Sequence, residues 1–252
     1  MTVIEHLDEL RSRMIKAVLA LGIVAIIAFI FYPTVLEFLI RPLDALPSHL
    51  KERILTREGS SDPNLTVTGP LEGLNVRLKV TAMLALIFAS PLWLYQLWAF
   101  VTPGLTMREK KYALPFVGSS VLLFALGTTF AYITLPAAMR FLVSISGPDV
   151  TVLFGAQQYI NFVGLMLLAF GLCFQLPLVL FFLGLVGVVS VQQLRDHRRI
   201  AAVGTAGLSA VVTPTQDPFT MLAMWIPLYL LYELAVLLLA LRDRRRRRRE
   251  SI

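Results

Sequence analysis

Cysteine, histidine and charge are all scarce in this chain. Of its 252 residues one is cysteine, Cys173, and three are histidine, His6, His49 and His197. A single thiol excludes an intramolecular disulfide and any cysteine-built metal cage. The histidines fall in polar segments, so no apolar run carries an imidazole to act as base for an intramembrane nucleophile. The HExxH pattern is missing, and so is a glycine-rich phosphate loop closed by Lys-Ser/Thr. The expectation is a protein with no catalytic residue, no metal site and no cofactor. Charged residues make up 15% of the chain, against about a quarter in soluble globular proteins.

Apolar residues fill the space. They account for 57% of the sequence, with a mean hydropathy of +0.73. They come in runs of about 20 residues, the length that crosses a hydrocarbon core roughly 30 Å thick. Six spans are expected: Met14 to Tyr32, Val80 to Val101, Tyr112 to Leu135, Tyr159 to Val189, Ile200 to Val212 and Phe219 to Leu241. At ~1.5 Å per residue the fifth reaches only about 20 Å. It must meet a thinned bilayer or borrow length from its flanks. The segment before the first run carries Glu5, Asp8 and Glu9, unlike the basic start of a cleaved signal peptide.

Lysine and arginine placement sets the orientation. With the N-terminus inside, the cytoplasmic segments hold Arg11, Arg13 and Lys16; Arg108, Lys110 and Lys111; Arg195, Arg198 and Arg199; and the arginines from Arg242 onward. These are 16 of the 23 basic residues. Both termini are therefore read as cytoplasmic. A net charge of +7 raises nucleic acid as a partner, but much of it sits in the arginine run directly after an apolar segment. A juxtamembrane cluster of that kind reads anionic lipid, at about 1 kcal/mol per arginine. Nucleic acid is not an expected partner.

The expected organisation is one six-helix transmembrane domain over 1–241 and a basic cytoplasmic tail over 242–252. Within it, 33–77 forms a structured external cap with short helices such as Thr34 to Ile40. Pro91, Pro115, Pro136, Pro177 and Pro227 fall inside or at the ends of spans, where each is expected to bend its helix. The fold expected is all-α: a bent, concave bundle with a short fifth helix and a sixth that is a second candidate for shortness.

A few polar residues stand out against this background. Glu5, Glu9 and Arg13 lie at successive i, i+4 positions, the spacing of a helical ion pair. Glu109 interrupts the basic stretch "TPGLTMREKK", where it either pairs with its neighbours or meets the helix dipole of the third span. Gln175 and Glu233 lie within apolar runs, where polar groups face protein or water. Asp217, in "TPTQDPF", has the position of a cap on the sixth helix.

Together these segments resemble the TatC family, the multi-spanning receptors of the twin-arginine protein translocase. The resemblance covers almost the whole chain. It is carried by "HLDELRSR" before the first span, "YQLWAFVTPGLTMREKKY" between the second and third, "AFGLCFQLP" in the fourth and "TPTQDPFTM" between the fifth and sixth. It implies a non-enzymatic receptor that binds twin-arginine signal peptides on the cytoplasmic face. Glu9 and Glu109 match the two acidic positions of that contact, with Arg11, Phe100 and Pro103 in the same site. Pro42 and Asp217 match external positions that matter for translocation.

Gln175, Thr213, Met221 and Glu233 are assigned by the resemblance to contact with single-span partners of the TatA/TatB type. Gln175 departs from the glutamate frequent in the family, and Met221 from a glutamine. The segment before Asp217 holds one residue more than the common "TPPD" form. The resemblance also implies a bacterial or archaeal cytoplasmic membrane, self-association and transport drawing on the proton gradient. The alternative is a secondary transporter with a midplane site at Glu233 and Gln175, but the paired repeats of such carriers are missing.

Overall fold

A computed structural model describes residues 3–47, 50, 65–67, 69–101, 113–147, 152–213 and 217–250. Ten helices are named among them: α1 Val3–Ile30, α2 Tyr32–Asp44, α3 Glu72–Phe88, α4 Ser90–Val101, α5 Ala113–Ile145, α6 Ala156–Cys173, α7 Leu176–Val186, α8 Val191–Asp196, α9 Arg198–Val212 and α10 Pro218–Glu250. The fold is all-helical, apart from one isolated parallel bridge between Thr66 and Gly155.

Four helical stretches are long and apolar enough to cross a membrane: Ile4–Ile30, Leu114–Ile145, Ala156–Val186 and Pro218–Arg244. The pair α3 and α4, bent by 55° at its break, passes the same test when the two are taken together, as a broken span or a re-entrant loop. The expected fifth span is α9, whose 15 residues extend about 22 Å and fall short of that length. The expected sixth is not short, because α10 runs for 33 residues. Several helices outrun the apolar runs that reveal them. α1 begins at Val3, so the whole "EHLDELRSR" stretch is helical, and α10 carries the start of the arginine tail out as helix.

The prolines act according to position. Pro91 follows the break at Ala89, and Pro177 opens α7 directly after the turn at Phe174 and Gln175. Both mark real breaks. Pro115 does not, because it lies in the first turn of α5, where the missing N–H has no helical partner in any case. Pro136 and Pro227 lie inside helices that continue through them. At the α3–α4 bend the Trp93 indole N–H donates to the Leu86 carbonyl at 2.9 Å. It thereby gives a donor to a last-turn carbonyl that the helix leaves open.

α5 and α6 form the tightest crossing. A Cβ on Gly127 would stand 2.6 Å from the Phe170 carbonyl oxygen, and one on Gly171 2.8 Å from the Phe124 ring. Only glycine lets the backbones approach so closely. The main core spreads from this crossing to α2, α3 and α10 through Leu39, Leu43, Val80, Leu135, Phe170 and Met224.

One end of the bundle gathers the start of α1, the end of α4, the start of α5, the end of α7, α8 and the start of α9. Trp98 packs there on Phe116 and Phe182. The end of α10 joins them, with Arg242 reaching the carbonyls of Gly184 and Leu185 at 3.3 and 3.4 Å. The opposite end carries α2 and the start of α3. There α2 is tied down by Tyr132, Tyr159 and Arg140, which donate to the carbonyls of Phe38, Leu39 and Ala45 at 2.8, 2.6 and 3.1 Å. Arg77 lies 3.9 Å over the Phe29 ring and donates to the Phe29 carbonyl. The expected short helix from Thr34 to Ile40 is thus the middle of a longer one.

Candidate functional site

The helical register of α1 sets Glu9 one turn before Arg13, and the two side chains pair. Glu9 Oε1 accepts from Arg13 Nε at 3.0 Å and from Nη2. The second oxygen, Oε2, is shielded from solvent and has no hydrogen-bond partner among the described residues. Three residues earlier His6 stacks on Phe100 of α4, with ring centroids 4.4 Å apart and planes 23° from parallel. Glu9 and Phe100, 91 positions apart in the chain, therefore reach the same end of the bundle. Arg11 lies nearby on α1, exposed to solvent. Pro103 and Glu109 lie outside the described residues.

Gln175 occupies the turn between α6 and α7. Its amide and Ser120 of α5 make a reciprocal pair: Ser120 Oγ donates to Oε1 at 2.6 Å, and Nε2 donates to the Ser120 carbonyl at 2.9 Å. The second bond needs an N–H donor, which the amide has and a carboxylate lacks. Glutamine at this position therefore suits the neighbour that α5 presents.

Glu233 is engaged as well. Arg198, at the start of α9, donates to Oε2 at 2.8 Å, and Tyr229 donates to Oε1 at 3.1 Å. Two more bonds join α10 to the α8–α9 segment: Tyr232 to the Leu194 carbonyl at 2.7 Å and Trp225 to the Ala202 carbonyl at 3.0 Å. The opposing face of α9 carries Thr205, Ser209 and Thr213, all buried. Each hydroxyl donates to the carbonyl four residues back, at 2.8 Å, so the row needs no other acceptor. Thr213 is thereby turned inward, whereas Met221, in the first turns of α10, is half-buried.

Asp217 caps α10. Its Oδ1 accepts from the Thr220 N–H at 2.8 Å, and Oδ2 accepts from the Thr220 hydroxyl. Pro218 follows as the first helical residue, where a missing N–H is harmless. Pro42 is buried inside α2. Among the described residues no three His, Cys, Asp or Glu side chains converge as metal ligands would.

Sequence reasoning passes over His6, Ser120, Tyr132, Arg198 and Tyr232. A signal existed for one of them, because Arg198 opens the short fifth span and needs a counter-charge. The others declare themselves only through partners far away in the chain.

Known proteins resemble this chain in sequence and in fold. The family model for TatC, described as Sec-independent protein translocase protein, matches residues 5–227. The Sec-independent protein translocase protein TatC of Frankia casuarinae is 41% identical over 251 residues, covering 99% of this chain and 68% of that protein. Its namesake from Aquifex aeolicus is 36% identical over 250 residues, covering 98% of both chains. A crystal structure of the twin-arginine translocase receptor TatC in DDM aligns with a TM-score of 0.76 at 35% identity. That alignment covers 92% of this chain and 98% of the other. A match over nearly the full length, in sequence and in helix arrangement alike, makes this chain a member of the TatC family.

Proposed function

We propose that this protein is the receptor subunit of a twin-arginine translocase and not an enzyme. It sits in a bacterial or archaeal cytoplasmic membrane as a six-span domain over 1–241, with both termini cytoplasmic and the cap at 33–77 outside. Glu9 and Glu109 receive the two guanidinium groups of the signal peptide, with Arg11, Phe100 and Pro103 shaping the site around them.

The observation that carries this reading is the state of Glu9. One oxygen holds Arg13, while the other, beside the His6–Phe100 stack, is without a partner among the described residues. A signal arginine that takes the place of Arg13 engages both oxygens in a planar, charge-assisted pair that a lysine cannot reproduce. Single-span partners of the TatA/TatB type dock along Gln175, Thr213, Met221 and Glu233, and the chain associates with copies of itself. Pro42 and Asp217 serve translocation by fixing the cap and the start of α10. The arginine tail meets anionic lipid. A small-solute carrier is the weaker reading, because both its site residues, Gln175 and Glu233, are already bonded within the chain.

Peptide binding tests the proposal. A twin-arginine peptide and a twin-lysine peptide are titrated onto the purified protein, then onto Glu9→Gln and Glu109→Gln. Losing one charge-assisted contact of about 1.5–3 kcal/mol weakens binding roughly ten- to a hundredfold. Equal affinity for both peptides across all three proteins would remove Glu9 and Glu109 from the site.

A further inference from the structure

Between α5, α7 and α10 lies an apolar groove of about 310 Å³. Phe116, Ser119 and Leu122 line it from α5, Phe181 from α7, and Leu234 and Leu238 from α10. It opens outward, because Leu122, Leu234 and Leu238 keep 60%, 45% and 45% of their surface exposed. Ser119 is also exposed.

The end of the groove has the opposite character. Arg242 stands one turn beyond Leu238 on the same face of α10. Its guanidinium leans onto the Gly184 and Leu185 carbonyls at the end of α7. Those two bonds use only part of its five donors. Arg244 follows, exposed. Asp243 between them points about 100° away around the helix from each. Arg244 lies about 200° around the helix from Arg242 and faces away, so the apolar trough ends in the fixed guanidinium of Arg242. The matching ligand is a hydrocarbon chain with an anion at one end.

We infer that this groove holds one anionic phospholipid. An acyl chain lies along Phe116, Leu122 and Leu234, and the phosphate meets Arg242. The inference deepens the lipid reading of the arginine tail by giving that lipid a defined seat. It shares no residue with the signal-peptide site.

Native mass spectrometry of the full chain in detergent tests it, with dioleoyl phosphatidylglycerol and dioleoyl phosphatidylcholine as probes. One phosphatidylglycerol per chain is expected to survive delipidation, in preference to phosphatidylcholine. Ser119→Trp, which places an indole in the open groove, abolishes that adduct. Arg242→Gln weakens phosphatidylglycerol about fivefold, the worth of one arginine at a lipid surface, and leaves phosphatidylcholine unchanged. Should Ser119→Trp fail to fold, Arg242→Gln decides alone, with Arg244→Gln, on the opposite face and expected to keep the adduct, as its control. Equal retention of both lipids would overturn the inference, as would an adduct indifferent to Ser119→Trp and Arg242→Gln. Displacement of the lipid by a twin-arginine peptide would also overturn it, in favour of a peptide occupant. Glu109→Gln separates the two readings, because it is expected to lose peptide and keep lipid.

Discussion

Pro42 and Tyr132 meet at one carbonyl. In α2 the Phe38 C=O would take its helical hydrogen bond from residue 42, and proline has no N–H to give. Tyr132, from the middle of α5, supplies the missing donor at 2.8 Å. Its ring also stacks on Phe38 with centroids 4.4 Å apart. The proline thus converts a backbone acceptor of the cap into an attachment point for a transmembrane helix. Tyr132→Phe is expected to cost about 0.5–1.5 kcal/mol, the net worth of one such bond. In a Pro42→Ala background residue 42 again has an N–H, and the cost of Tyr132→Phe shrinks. Thermal unfolding of the four proteins forms a double-mutant cycle, and strictly additive losses would count against the coupling.

The Gln175–Ser120 pair predicts an unusual order of stabilities. Gln175→Leu leaves the buried Ser120 hydroxyl without its acceptor and is expected to cost about 1–3 kcal/mol. Removing both partners, as Gln175→Leu with Ser120→Ala, restores part of that loss because no orphaned hydroxyl remains. Melting temperatures in one detergent provide the check. A double variant less stable than Gln175→Leu alone would show that the pair is not what matters there.

Among the links between α10 and the α8–α9 segment, the neutral one is expected to outweigh the charged one. Tyr232 is buried and donates to Leu194 at 2.7 Å, so Tyr232→Phe costs about 0.5–1.5 kcal/mol. The Arg198–Glu233 pair keeps side-chain exposures of 49% and 30%. Solvent screens such a pair, and Glu233→Gln is expected to cost about 1 kcal/mol at most. High salt should shift Glu233→Gln toward wild type and leave Tyr232→Phe unmoved.

The length of α9 makes a claim about lipid. A helix of about 22 Å beside a hydrocarbon core of roughly 30 Å leaves a mismatch that thinning relieves at modest cost. A nanodisc structure is expected to show the bilayer pinched next to α9. Uniform thickness around the bundle would contradict this.

Apolar run length made the spans legible, but it located their ends poorly. Charged residues end a hydropathy window at Met14, yet Glu, Leu and Arg are good helix formers, so α1 extends back to Val3. Proline marked two breaks, lies in a first turn at Pro115, and falls inside continuing helices at Pro136 and Pro227. What it does depends on where it falls in the helix and on which neighbour satisfies the freed carbonyl. The site divides in the same way. Glu9–Arg13 is a local, four-residue relationship and can be read directly from the chain. Gln175 finds Ser120 55 residues away, and Tyr132 finds Phe38 94 residues away. Periodicity carries no information about partners so distant.

The bend between α3 and α4 has a mechanical meaning. A break in a membrane helix normally leaves polar backbone facing hydrocarbon, and that penalty would favour straightening. Here the Trp93 indole already covers the Leu86 carbonyl, so the angled form carries less of that penalty. Straightening would carry Trp93 away from its acceptor. The α3–α4 pair therefore behaves as a fixed elbow and not as a hinge. Anything sliding along it meets a corner whose angle is part of the resting shape.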